Sequence, residues 1–187
     1  MKKEIEYKFL LNKMPNLSYE PQQITQVYFD FMKKDKILTY LYKSLEYQKI
    51  AEARVRRIKF YDDTKYFLTL KTAGTISRIE KELEIDSTMA EELVKDAAIL
   101  TIIKNRYVVK IENMIVEIDK FLNTKKPLVI AEVEFDSIAN LPNAKEVMKK
   151  ISKALKVKCT DVTENLTYKN KNLKNFIRGN EDEGQCK

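Results

Sequence analysis

The sequence has no histidine, no tryptophan, three glycines and two cysteines. Each scarcity removes a class of chemistry. Without histidine there is no Ser-His-Asp or Cys-His pair, no His-ligated zinc and no imidazole general base. Gly74, Gly179 and Gly184 cannot write a P-loop or a dinucleotide fingerprint. Any bound phosphate must therefore be held by side-chain cations rather than by a glycine-rich backbone cradle. Cys159 and Cys186 lack metal-ligand spacing, so a reduced, cytoplasmic protein without a disulfide is expected. The charged start Met1-Lys2-Lys3-Glu4 leads only into the short apolar run Phe9 to Leu11, which is no signal-peptide core. Nowhere do about 18 apolar residues follow one another, which argues against a membrane span.

What is present is charge. Of 187 residues, 34% are charged and the net balance is +7, which favours anionic partners such as nucleic acid, anionic lipid or polyphosphate without choosing among them. An apolar share of 44% suits a globular protein. The punctuation predicts a single domain over residues 1–176 and a disordered polar tail over 177–187. Strands are predicted at 3–11, 25–31, 53–60, 66–72, 78–85, 103–111, 114–121 and 128–135. Helical spacing marks 35–50, through Ile37, Leu38, Leu41 and Leu45. Thr88 with Glu91 suggests a capping box, and Asn143 with Glu146 opens a helix whose stripe is Val147, Ile151 and Leu155. Residues 164–176 read as helix or extended chain. This is an antiparallel α+β class, compatible with an eight-stranded closed sheet.

Alternate side chains of a strand share a face, and sorting each strand this way separates charge from apolar residues. One face collects Glu4, Glu6 and Lys8; Arg54 and Arg56; Thr69 and Lys71; Arg78, Glu80, Glu82 and Glu84; Lys104 and Arg106; Glu117 and Asp119; Glu132 and Glu134. Any one of these strands would pass as the solvated side of an ordinary sheet. Seven together, each carrying almost only ionised groups, would not. Like charges two apart on one face repel, so stability alone does not favour the pairs. Paired arginines suit an anion with several oxygens. Paired carboxylates about 7 Å apart suit a hard cation, and an oxygen-only donor set fits Mg²⁺ or Mn²⁺ rather than zinc. Seven cations against nine carboxylates make a face that one or two divalent ions would tip towards a polyanion.

The motif Glu4-Ile5-Glu6-Tyr7-Lys8 resembles the N-terminal Glu-x-Glu-x-Lys signature of the CYTH, or triphosphate tunnel metalloenzyme, superfamily. The remaining pairs follow in order: Arg54-Val55-Arg56, Phe67 to Lys71, Arg78 with Glu80 and Glu82, Lys104-Asn105-Arg106, Glu117-Ile118-Asp119 and Glu132-Val133-Glu134. Asp161-Val162-Thr163 and Tyr168-Lys169-Asn170 resemble the closing segment, so the resemblance spans about residues 2–175. It implies an eight-stranded antiparallel barrel with a charged interior, helices outside, and a triphosphate inside. It implies metal at Glu4, Glu6, Glu132 and Glu134. Phosphate oxygens would lie on Lys8, Arg54, Arg56, Lys71, Lys104 and Arg106, while Glu80, Glu82 and Asp119 complete the metal and water arrangement. One departure is Thr167, where many bacterial relatives carry a basic residue; Lys169 and Lys171 are the nearby substitutes.

The first functional expectation is a metal-dependent hydrolase of inorganic triphosphate, with a carboxylate or metal-activated water in place of a histidine base. A class IV adenylyl cyclase and a polyphosphate- or nucleotide-binding module without turnover are the alternatives. Thiamine triphosphate is also open, and the missing tryptophan argues mildly against it. The expected partner is a triphosphate-containing small molecule, with no membrane and no specific nucleic acid. A homodimer is compatible with this reading.

Overall fold

The computed structural model describes residues 2–34, 38, 50–74, 77–137 and 141–177. The predicted helix over 35–50 falls outside them apart from Leu38 and Ile50, as does the expected tail beyond Ile177. Among the described residues nine strands form one antiparallel sheet: β1 Lys2–Leu11, β2 Gln22–Phe29, β3 Ile50–Phe60, β4 Asp63–Thr72, β5 Ser77–Ile85, β6 Ala98–Ile111, β7 Met114–Phe121, β8 Leu128–Glu134 and β9 Cys159–Asp161. Their order is β5-β4-β3-β2-β6-β7-β8-β1-β9, and β1 also pairs with β5. That last pairing closes eight strands into the expected barrel.

The seam is short. β1 meets β5 only through Lys2 to Ile5, while its opposite edge runs along β8 from Glu6 to Leu10. Beyond the seam, the β1 edge that β5 leaves is taken by β9, opposite Phe9 to Leu11. Between the two, the Lys8 backbone N–H donates to Thr163 Oγ1 (3.1 Å) and its carbonyl accepts from Val162 N (2.9 Å). The edge thus finds partners although no single strand covers it.

The apolar faces of the strands point outwards and are covered there. Helix α1, Ser87–Val94, brings Ala90 and Leu93 onto Ala53, Val55, Leu68 and Leu70 of β3 and β4. Its N-cap is Asp86, whose carboxylate accepts from Met89 N at 2.7 Å, so Thr88 lies inside the first turn rather than capping it. Helix α2, Ala144–Leu155, is capped by Asn143 as expected and lays Val147 and Ile151 on Phe9, Val116, Ile118 and Val133. A third apolar group fills one end of the barrel interior. Ile102, Phe121, Leu128 and Ile130 pack there against Leu173, which belongs to a 3-10 helix over Asn170–Phe176. The segment read as helix or extended chain is therefore two 3-10 turns, Leu166–Tyr168 and Asn170–Phe176, serving as a stopper. Among the described residues no helix is long and apolar enough to cross a membrane.

Ile151 is fully buried beneath α2. Ile151→Ala is expected to lower unfolding stability by about 2–5 kcal/mol in urea titration.

Candidate active site

Closing the sheet turns the charged face into the wall of an internal chamber of about 510 Å³. Twelve of the thirteen site residues expected from sequence line it. They are Glu4, Glu6 and Lys8 on β1, Arg54 and Arg56 on β3, and Lys71 on β4. Glu80 and Glu82 come from β5, Lys104 and Arg106 from β6, and Glu132 and Glu134 from β8. The thirteenth, Asp119, is not in the lining. Its exposure is 0%, and it lies behind Lys104 and Arg106, holding both. The Arg78 side chain is outside the described residues, and Glu84 is exposed.

The wall is a web of ion pairs. Arg106 donates Nε and Nη2 to the two oxygens of Asp119, both at 2.6 Å. Its Nη2 also reaches Glu132 at 2.9 Å, and Nη1 pairs with Glu117. Lys8 bridges Glu132 and Glu6, the latter at 3.2 Å. Lys71 bridges Glu4 at 2.7 Å and Glu80 at 2.8 Å. Arg56 reaches Glu82 at 2.5 Å, and Glu82 also accepts from Thr69 Oγ1 at 3.0 Å. Desolvating this many charges is costly, and the pairing is what offsets it.

The titration shifts follow the web. Burial works against the charges of Asp119 and Glu132, but their cationic neighbours win and hold both carboxyls below the usual range, Glu132 well below. For Asp119 these are Arg106 and Lys104; for Glu132 they are Lys8, Arg106 and Lys104. Burial also opposes Arg106, yet Asp119 and its other carboxylates raise its pKa. Lys104 goes the other way: burial, followed by repulsion from Arg106, lowers it to about 8. Glu117 is pushed up by burial, with Arg106 pulling against that.

Several lining residues escaped the sequence reading. Glu52 was overlooked because β3 starts at Ile50, earlier than predicted; extending the alternation back from Arg54 would have found it. Gln26 and Tyr28 are uncharged, so charge sorting passed over them; Gln26 Nε2 donates to the Tyr28 hydroxyl at 2.6 Å. Lys169 and Asn170 reach the chamber from the 3-10 segment, which has no strand periodicity to read. Lys171 instead points to the carbonyl of Ala51 at 3.4 Å.

Two features bear on ligands. Arg54 Nε and Arg56 Nε are buried without a hydrogen-bond acceptor, as is Asn170 Oδ1 without a donor. Orphaned buried donors are rare and costly, and a multi-oxygen anion in the chamber would satisfy them. The carboxylates raise the question of metal. Among the described residues no three acidic groups already converge as a ligand set. Yet Glu6 and Glu134 stand directly opposite each other across β1 and β8, both on the chamber wall. A like-charged cross-strand pair is unfavourable alone, and with oxygen donors only it fits a hard divalent cation.

Comparison with known proteins agrees in one direction. The CYTH domain family matches residues 2–172. An inorganic triphosphatase of Nitrosomonas europaea is 33% identical over 133 residues, covering 71% of this chain and 76% of its own length. A second, from Acetivibrio thermocellus, is 30% identical over 151 residues, covering 80% of this chain and 81% of its own length. The crystal structure of an inorganic triphosphatase superposes with a TM-score of 0.52 at 28% identity, covering 94% of this chain and 99% of that one.

The Lys104 shift has a measurable consequence. Its folded value, about 8, lies below the ordinary 10.5, so the folded state resists protonation and a stability penalty is fully present below pH 8. That penalty fades as pH rises from about 8 to 10.5. Melting curves across this window should show wild type gaining stability relative to Lys104→Met; a pH-independent difference would contradict the assignment.

Proposed function

Because the chain belongs to the CYTH domain family, we propose that it hydrolyses inorganic triphosphate with the help of a divalent metal ion, Mg²⁺ or Mn²⁺. The observation that carries this reading is the pair of acceptorless guanidinium donors, Arg54 Nε and Arg56 Nε, in a chamber crowded with further cations. Residues 1–176 act as one domain in this reading, in the cytoplasm, without a nucleic-acid or membrane partner; a homodimer is compatible with it.

The roles follow from position. Arg54, Arg56, Lys8, Lys71, Lys104 and Arg106 neutralise the non-bridging oxygens, exchanging part of their carboxylate pairing for phosphate. Asp119 does not touch substrate. It fixes the guanidinium plane of Arg106 and the ammonium of Lys104, so these donors are oriented before the substrate arrives. Glu4, Glu6, Glu132 and Glu134 supply the oxygen donors for metal. A metal ion bound there would supply Lewis-acid polarisation to the terminal phosphoryl group and to the attacking water. Glu80 and Glu82, across β5, position that water and take up its proton. Attack on the terminal phosphorus breaks one phosphoanhydride bond and releases phosphate and pyrophosphate.

Phosphate release from inorganic triphosphate, assayed with Mg²⁺ and with Mn²⁺, tests the proposal. Wild type should turn over and should stop on chelation. Glu6→Gln and Arg54→Ala should each lose about a hundredfold in kcat/KM. No release under either metal, or unchanged rates in both variants, would sink it. Cyclic AMP appearing from ATP would point to the cyclase instead, and binding without product to the non-catalytic module.

A further inference from the structure

The outer surface carries a second concentration of charge that the chamber does not use. Helix α2 and the end of β6 border a groove of about 660 Å³, lined by Lys110, Lys149, Lys150, Lys153 and Glu112. Among the described residues none lines both this groove and the chamber. The floor is apolar: Ile111 is buried there, and Val109 and Leu155 are half-buried.

Helix stability does not explain these lysines. Lys145, Lys149 and Lys153 recur at every fourth residue of α2, and all three are exposed. Like charges at that spacing stand one above another on a helix and repel. The helix dipole favours Lys153 in the last turn but disfavours Lys145 in the first. Carboxylates offset little of this. Glu112 pairs with Lys150 at 2.7 Å, while Lys110, Lys149 and Lys153 have no carboxylate partner among the described residues. The Glu112–Lys150 contact runs from the turn between β6 and β7 to α2, so it ties the two walls of the groove together.

The lining narrows the occupant. Three ammonium groups without carboxylates select an anion. Among the described residues no arginine and no aromatic ring lines the groove, so the bases of a nucleic acid strand would have nothing to stack on. The apolar stripe of α2, Val147 and Ile151, already faces the barrel, which leaves the helix no apolar face to insert into a bilayer. An acidic polypeptide with apolar residues of its own suits both the rim and the floor. A helical one also matches in spacing. Four residues rise about 6 Å, so acidic side chains repeated every fourth residue keep step with Lys145, Lys149 and Lys153.

We propose that this groove docks an acidic amphipathic helix of a partner protein. Its carboxylates lie between Lys110 on one wall and Lys149 and Lys153 on the other, and its apolar side chains rest on Val109 and Ile111. The surface is separate from the chamber, so the inference stands independently of the triphosphate reading.

A fluorescent synthetic helix of about 18 residues, with glutamates at every fourth position beside a leucine stripe, is the probe. Its anisotropy would be followed against the full chain, the double variant Lys149→Glu/Lys153→Glu, and Lys110→Glu on the opposite wall. Matched melting curves would show that these surface variants fold. Wild type should bind the helix saturably, and more weakly as salt rises. The double variant should raise Kd about tenfold or more, and Lys110→Glu should raise it in the same direction. A peptide of the same composition with its glutamates scattered should also bind at least about tenfold more weakly. A uridine oligonucleotide and phosphatidylserine vesicles represent the other polyanions. No saturable binding of the helix, a Kd unchanged in the variants, equal binding of the scattered peptide, or tighter binding of the oligonucleotide or the vesicles would overturn the proposal.

Discussion

The constraint on which the rest depends is the burial of opposite charges in a closed sheet. Arg106 is clasped by Asp119 and Glu132, Lys71 by Glu4 and Glu80, and Lys8 by Glu6 and Glu132. Removing one partner from such a pair leaves an uncompensated charge in a poorly hydrated space, which typically costs several kcal/mol. The interior is therefore held by mutual neutralisation. It cannot supply the hydrophobic stabilisation that a small barrel usually draws from its centre.

That stabilisation comes from outside. Each strand presents its apolar set outwards, and α1 and α2 cover two separate areas of it, over β3–β4 and over β1, β7 and β8. The only large apolar group on the inner face among the described residues sits at one end, where Leu173 closes on Ile102, Phe121, Leu128 and Ile130. This arrangement gives the chamber a direction. Lys71 and Lys104 lie deep, 3% and 1% exposed, whereas Glu82 and Glu134 are exposed.

The same web explains how a site can be strong towards an anion without being misfolded in its absence. The carboxylates hold the cations in place, so on the proposed reading little reorganisation is needed when phosphate oxygens replace part of that pairing. Asp119 is the clearest example. Its two oxygens accept in parallel from Arg106, and Lys104 is bound to the same carboxylate. Lys104 and Arg56 depart from this: burial and a neighbouring arginine, Arg106 for the first and Arg54 for the second, weaken their hold on the proton despite their carboxylate contacts.

Much of this was legible in the chain because a strand has a period of two. The alternation of Glu4, Glu6 and Lys8, or of Arg54 and Arg56, assigns those side chains to one face whatever the sheet does next. The lack of histidine and the scarcity of glycine likewise limited the chemistry before any fold was known. Three things were decided only by tertiary structure. Whether the charged face looks to water or inwards depends on the Lys2–Ile5 pairing with Ser77–Glu80, a contact between distant segments that no local pattern encodes. Whether a carboxylate lines the chamber or stands behind its cations depends on depth in the wall, which separates Asp119 from Glu132 although both fall on the inward face. The uncharged and irregular contributors, Gln26, Tyr28 and Asn170, come together through strand register and loop placement rather than periodicity. Periodicity sorts residues by face, and only closure of the sheet says what each face encloses.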